Sequence, residues 1–460
     1  MRFREALDHI KGLRYVLEEM SFSSSIGRLA LLDSYWLTSR EEIEEALDEV
    51  AKFVGYIQST EGIPLLQLQL EEVVNISGSI EVLRATGAIC SDVDLFEIKK
   101  LALIDEKIAQ LQDHYHYQLT ERPSLKGVLS VLDPREERLP SFYLDNYFDT
   151  RLKEIREAIE RTKEETPLAE LNAQLSQCEE EVRARLTDQL APFADSLEMV
   201  LKALAHDTAI LAKADWAVRY RACRPTPISS GTTHLEELVN PEVADQVRRS
   251  GGRFQPVSIE FEEEPTLISG ANMGGKSVLL HSVALAQGMM QFGMYVLAKS
   301  ATMVVVEHLL YSAGDGEDMR LGLSSFGAEM IRLNGIIQAV KSGQKVLAII
   351  DEPARTTNPE EGYALVSGLV KLLEQYEAMA LITTHYSGVT SQGRRWRVRG
   401  FVVGRDMHGV EVAHLAELMD YSLVPDSQES VPREAFRIAR LLGVDEEFLD
   451  LSNNCFRTIE

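Results

Sequence analysis

Ser269-Gly270-Ala271-Asn272-Met273-Gly274-Gly275-Lys276-Ser277 decides how the rest of this 460-residue chain is read. From Gly270 onward it fits G-x-x-x-x-G-K-[ST], the phosphate-binding loop. Its flanks have the right character. Thr266-Leu267-Ile268 is a short apolar run of strand type, and Val278 to Phe292 reads as a helix, with Leu279, Leu280, Val283, Leu285, Met289 and Met290 among its apolar residues. A strand, a glycine loop and a helix start make an anion cradle. The glycines let backbone N–H groups approach phosphate, and the helix N-terminus adds a favourable dipole. In such a cradle Lys276 reaches the β- and γ-phosphates of a nucleotide, and Ser277 holds Mg²⁺.

On the C-terminal side, from about Pro256, short β-like runs alternate with helices, the pattern of an α/β layered sheet. Ala301 to Val306, Lys345 to Ile350 and Met379 to Thr383 are strand candidates. The second ends in Asp351-Glu352. An acidic pair at the carboxyl end of a buried strand is the Walker B arrangement: Asp351 serves the Mg²⁺ shell, and Glu352 orients or deprotonates the attacking water. The third strand ends at Thr383-Thr384-His385, where a histidine can sense the γ-phosphate or polarise that water. A lone histidine elsewhere would be read as structural. Leu323 to Met330 precedes a further helix and offers hydroxyls and backbone donors at its N-terminus.

On the N-terminal side, residues 1 to about 220 carry little strand signal. Arg40 to Tyr56 has helical spacing, with Thr38 or Ser39 as candidate cap, and Ser91 is the candidate cap of a helix running to Tyr115. The Pro-marked region Arg122 to Ser141 reads as turns and short elements. Two long helical stretches follow, about Asp149 to Lys163 and Leu168 to Tyr220. Pro167 suits the first turn of the second, and Pro192 should kink or interrupt it. A helix that long suggests a lever or coiled-coil arm. No catalytic constellation stands out in this half.

Composition bounds the function. The chain is 45% hydrophobic and 26% charged, and no apolar run reaches membrane-spanning length. Met1-Arg2-Phe3-Arg4-Glu5 lacks the apolar core of a signal peptide. Cys90, Cys178, Cys223 and Cys455 lie far apart without metal-ligand spacing, which reads as free thiols and a cytoplasmic location. A formal net charge of −25 weighs against a surface that wraps nucleic acid, because phosphate neutralisation dominates that affinity.

Together these residues resemble the MutS family of ABC-type ATPases. Gly270 to Ser277 differs at one place from that family's G-P-N-M-G-G-K-S, with Ala271 in place of proline. Ser324-Ser325-Phe326-Gly327-Ala328-Glu329-Met330 is similar to its S-T-F-M-x-E-M signature, and Thr384-His385-Tyr386 matches its T-H-Y switch. Arg253-Phe254-Gln255-Pro256-Val257 resembles the segment whose aromatic stacks on adenine, a role carried to Phe254. Ser23 to Arg28 and Ser141 to Leu144 resemble landmarks of the core and lever domain.

The resemblance implies a multidomain chain: an all-α core and lever domain over 1–235, an α/β P-loop ATPase domain over 236–420, and a C-terminal helical dimerisation segment over 421–460. It implies ATP and Mg²⁺ as cofactors. Gly270, Asn272, Met273, Gly274, Gly275, Lys276 and Ser277 hold the nucleotide, Ser277 and Asp351 the metal, and Glu352 and His385 act in catalysis. In the implied homodimer each nucleotide lies between one subunit's glycine loop and the other's Ser324, and closure moves the lever helices. The sequence also departs from the family. The mismatch-reading and connector domains, the β-rich clamp between the lever helices and a C-terminal nuclease domain are expected to be missing. Asp351-Glu352 continues as Pro353-Ala354-Arg355-Thr356-Thr357-Asn358-Pro359 where the family reads I-G-R-G-T-S-T, and Lys299 stands near a family glutamine. Two functions follow. One is an ATP-gated dimer linked to mismatched or branched DNA and mismatch repair. The other is an ATP-dependent reactivating factor for a protein client such as a cobalamin-dependent aminomutase.

Overall fold

The computed structural model describes residues 1–59, 61–270, 274–312, 325–401, 419–426, 436, 439–440 and 443–459. Helices dominate up to Tyr220: α1 (Phe3–His9), α2 (Leu13–Glu19), α3 (Ser25–Asp33), α4 (Arg40–Ser59), α5 (Ile63–Glu71), α6 (Ser77–Arg84), α7 (Asp92–Tyr115), α8 (Lys126–Leu132), α9 (Thr150–Arg161), α10 (Glu165–Leu190) and α11 (Ala194–Tyr220). Strands and helices then mix: β1 (Thr226–Ile228), β2 (Thr233–Leu238), α12 (Pro241–Arg249), β3 (Val257–Phe261), β4 (Pro265–Ser269), α13 (Lys276–Gln291), β5 (Ser300–Val304), β6 (His308–Ser312), α14 (Ser325–Lys341), β7 (Val346–Ile350), α15 (Pro359–Gln375), β8 (Met379–Thr383), β9 (Arg395–Phe401), β10 (Met419–Pro425) and α16 (Glu446–Ile459). No helix among the described residues is long and apolar enough to cross a membrane.

Two compact units emerge. One comprises residues 1–20, 35–51 and 216–460, and the other residues 21–34 and 52–215. In the second unit the caps behave as the sequence suggests. Ser91 Oγ accepts the Asp94 N–H (3.2 Å) while Asp94 Oδ2 accepts the Ser91 N–H (2.8 Å), a reciprocal capping box that starts α7. Only Thr162-Lys163-Glu164 separate α9 from α10. The expected stretch to Tyr220 is divided at Pro192: a 3₁₀ turn, Ala191–Phe193, ends α10 and leads into α11, because proline has no N–H for the helical ladder. Of the charges buried in this unit, Asp207 accepts the N–H (3.0 Å) and hydroxyl (2.7 Å) of Thr120, and two pairs of opposite charge lie close together. Lys99 Nζ lies 3.1 Å from Asp133 and donates to the Ser141 carbonyl (3.0 Å), and Arg122 Nε lies 2.6 Å from Asp105.

The first unit holds two sheets. A four-stranded sheet runs β1-β5-β2-β3, and a six-stranded sheet runs β10-β9-β4-β8-β7-β6. The larger sheet is parallel except for β10, which pairs antiparallel with β9. Residues 421–425, the start of the segment expected to be helical, therefore lie in a strand. Arg394 ties the sheets by pairing with Glu260 and Glu262, and Trp396 Nε1 donates to the Glu260 carbonyl (2.9 Å).

On one face of the larger sheet, α14 and α15 build a core that includes Ile336, Val370 and Leu373 against Ala348, Ile350 and Ile382. On the other lies α13, of whose 16 residues 13 are buried. The Cβ of any residue replacing Gly288 would come within 2.7 Å of Ile10 Cδ1, so this glycine permits close packing by the segment between α1 and α2. Two fully buried glutamines fix the far end of α13. Gln291 Nε2 donates to the carbonyls of Leu37 (2.8 Å) and Val306 (2.5 Å), and Gln287 Nε2 donates to the Val304 carbonyl (2.9 Å) and to Gln291 Oε1 (2.5 Å). Replacing Gln291 by alanine strands several buried backbone groups and should cost about 3 kcal/mol. A lowered urea midpoint at unchanged slope checks this, whereas a midpoint equal to wild type contradicts it.

Candidate active site

Strands β4, β8 and β7 are neighbours and parallel, so their carboxyl ends share one edge. Loops leaving that edge form the crevice in which open α/β sheets place their chemistry. β4 leads into Gly270, whose φ of 137° no ordinary side chain adopts, and α13 is entered through Gly275 at φ 73°. Both positions are also crowded. A Cβ at Gly270 would lie 3.1 Å from Val398 Cβ, and one at Gly275 would lie 3.0 Å from Tyr421 Cδ1. Gly274 is buried. Asn272 and Met273, with Ala271, lie outside the described residues, as does Ser324.

Lys276, the first residue of α13, is 5% exposed. Its Nζ donates to the Gly270 carbonyl (2.7 Å) and lies 3.4 Å from Glu352 Oε1. The other Glu352 oxygen is 3.3 Å from Arg355 Nη1, so this carboxylate stands between two cations. Ser277, next along, is exposed.

The five residues of β7 are all buried, and the strand delivers Asp351 and Glu352 to the same edge. The Asp351 N–H donates to the Ser312 carbonyl (2.8 Å). Thr383, the last residue of β8, donates its hydroxyl to Asp351 Oδ1 (2.5 Å) and accepts the Glu352 N–H (2.8 Å). Beyond the carboxylates the chain turns sharply, with Glu352 at φ 45° and Ala354 at φ 60°. Left-handed backbone costs a side-chain-bearing residue roughly 1–2 kcal/mol, so the surroundings must hold this turn. The Ala354 N–H donates to Glu329 Oε1 (2.9 Å) and the Ala354 carbonyl accepts the Tyr386 hydroxyl (2.9 Å). Burial pushes the Tyr386 phenol up, and the Glu329 carboxylate adds to that, which keeps this donor protonated. On α13, burial holds His281 below the usual imidazole range; Lys11 adds to the effect and Asp351 opposes it.

Of the residues singled out from the sequence, the structure brings together Gly270, Lys276, Asp351 and Glu352 through these bonds. His385 is exposed and its ring lies 4.2 Å from that of Tyr386. Among the described residues no hydrogen bond or ion pair joins it to Lys276, Asp351 or Glu352. Phe254 is half-buried. Its neighbour Gln255 donates to Asp420 Oδ1 (2.9 Å) and accepts the Tyr421 N–H (3.0 Å), which runs this segment beside the strand flanking Gly275. Sequence reasoning passed over Thr383, Glu329 and Tyr386 as participants. Thr383 sits two residues before the histidine at a strand end, but a threonine there is also ordinary strand composition.

An alanine at Gly270 would combine a forbidden φ with a clash against Val398 and should destabilise the protein by about 1–3 kcal/mol. Thermal denaturation of Gly270→Ala is the check, and an unchanged midpoint would contradict the strained loop.

Comparison with known proteins adds an independent line. Residues 266–429 match the protein family described as MutS domain V. The chain is 25% identical over 384 residues to a DNA mismatch repair protein MutS of Natronomonas pharaonis, covering 81% of this chain and 41% of that protein. It is 29% identical over 224 residues to an endonuclease MutS2 of Pediococcus pentosaceus, covering 47% and 27%, and 27% identical over 320 residues to a MutS of Pelotomaculum thermopropionicum, covering 69% and 35%. The chain thus spans less than half the length of each of these relatives. The domain match falls on the strands and loops just described, and the likeness to parts of the relatives reaches beyond it: the chain is similar to the MutS family, most clearly over residues 266–429.

Proposed function

We propose that this protein binds and hydrolyses ATP, with Mg²⁺, as a MutS-like ATPase of the P-loop, ABC type. The observation that carries this reading is the buried ammonium of Lys276, enclosed by a glycine turn and 3.4 Å from the Glu352 carboxylate. A buried cation requires anionic partners, and nucleotide phosphates entering the loop would take over that role. Their arrival releases Glu352 to accept a proton. Water then attacks the γ-phosphorus in line, the bond to the ADP oxygen breaks, and Glu352 takes the proton of the attacking water. In this reading Gly270, Asn272, Met273, Gly274, Gly275, Lys276 and Ser277 hold the nucleotide, as the family's loop pattern implies. Mg²⁺ supplies charge neutralisation on the phosphate oxygens. Ser277 and Asp351 suit it, because that ion takes one or two protein oxygens and fills its shell with phosphate and water. His385 senses the γ-phosphate, and Phe254 stacks on the adenine.

The finer reading follows the family pattern. Two copies pair so that Ser324 of each completes the other's site, and nucleotide-driven closure moves the long helices of the N-terminal half. The corresponding division is 1–235, 236–420 and 421–460, and the setting is the cytoplasm. A link to mismatched or branched DNA rests on the names of the relatives, against a net charge of −25. None of the three relatives named above is described as a reactivating factor for a protein client, so that alternative is not carried forward.

Lys276→Ala should abolish nucleotide binding, read by titration with a fluorescent ATP analogue. Glu352→Gln should bind normally but lose about 100-fold or more in turnover; wild-type turnover in that variant would remove Glu352 from the proton-accepting role. The steady-state ATPase rate, measured alone and with homoduplex, mismatched or branched DNA, separates the partners. Stimulation that survives physiological salt supports the DNA link, since purely electrostatic binding falls steeply with salt. A basal rate indifferent to every DNA argues against it.

A further inference from the structure

Thr383 ends β8, the strand lying between β4 and β7, and its side chain is fully buried. A hydroxyl has one proton to give and lone pairs to receive. Here the Glu352 N–H, at 2.8 Å, must be the donor to Thr383 Oγ1. The threonine proton is therefore left for Asp351 Oδ1, 2.5 Å away. One side chain thus holds two consecutive groups with separate tasks: it fixes a carboxylate oxygen of Asp351 and pins the peptide that carries Glu352. That peptide needs pinning, because Glu352 is at φ 45°, where a side-chain-bearing residue does not rest unaided. The remaining backbone bond at this point, from the Asp351 N–H to the Ser312 carbonyl, holds the strand and leaves the Glu352 orientation open.

We propose that Thr383 is a positioning residue for the site. Through a single hydroxyl it sets the Asp351 carboxylate that faces the cation and the Glu352 carboxylate that accepts the proton, so metal requirement and turnover depend on it together. This rests on the ATPase reading given above. It differs from a packing role in one respect: the methyl group is dispensable and the hydroxyl is not. Outer-shell partners of this kind change metal affinity or activity by about 10- to 100-fold when removed.

The test uses Thr383→Val, which keeps shape and loses the hydroxyl, beside Thr383→Ser, which keeps the hydroxyl. Three quantities are read on the full chain: kcat and KM for ATP, the Mg²⁺ concentration giving half the maximal rate, and affinity for a fluorescent ATP analogue in EDTA. For Thr383→Val the expected result is a kcat lowered by about 10- to 100-fold and a Mg²⁺ midpoint raised by about tenfold or more, with metal-free nucleotide affinity unchanged. Thr383→Ser should return kcat and the Mg²⁺ midpoint close to wild type. Wild-type kcat and Mg²⁺ midpoint in Thr383→Val would overturn the proposal. So would equal losses in both variants, or lost nucleotide affinity in EDTA, because either would mark Thr383 as packing alone. A wild-type protein that neither binds nor hydrolyses ATP would overturn the ATPase reading itself and this inference with it.

Discussion

The ammonium of Lys276 sits almost out of reach of water, and an isolated charge so placed would be very costly. Its partners come from two directions. The Gly270 carbonyl belongs to the mouth of its own loop, and Glu352 belongs to the chain leaving β7. β8 lies between β4 and β7, so the lysine spans the end of an intervening strand. One buried charge therefore joins the glycine turn to the acidic turn. The rest of the site serves that junction: Arg355 balances the far oxygen of Glu352, and Tyr386 and Glu329 hold Ala354 in a backbone region it would not choose.

Much of this was legible from residue order. A glycine loop between an apolar run and a helical pattern, an acidic pair closing a buried strand, and serine caps at helix starts are local signals, and the elements formed where those signals lie. Pro192 also acted locally. What could not be read depends on partners distant in sequence. β1, β2 and β3 are short, and their register is supplied by β5 and by one another, so no window around Thr226 or Thr233 announces a sheet. β10 was hidden for the same reason, since Tyr421 to Pro425 become a strand by pairing with β9. The left-handed Ala354 was invisible because alanine gives no hint of positive φ; only the enclosing Tyr386, Glu329 and the bare Gly362 make it tenable.

The helical unit uses charge differently. Lys99, Asp133, Asp105 and Arg122 are buried, but each has a hydrogen-bonded counter-ion close by. Pairs of this sort contribute little net stability, yet removing one member leaves the other uncompensated. The Lys99 pair holds the segment that follows α8 against α7, and the Arg122 pair holds the segment between α7 and α8 against α7. In the site the cation is also paired, but one of its partners is a carboxylate that also stands beside Arg355.

The almost complete burial of α13 also shapes the pattern of local opening. A helix packed on nearly every side, with Gln287 and Gln291 bonded into its surroundings, cannot fray turn by turn. Its amides should exchange with solvent only through the largest unfolding events. A ligand at the loop would leave that exchange as it was, making α13 an internal reference against which occupancy of the loop can be read.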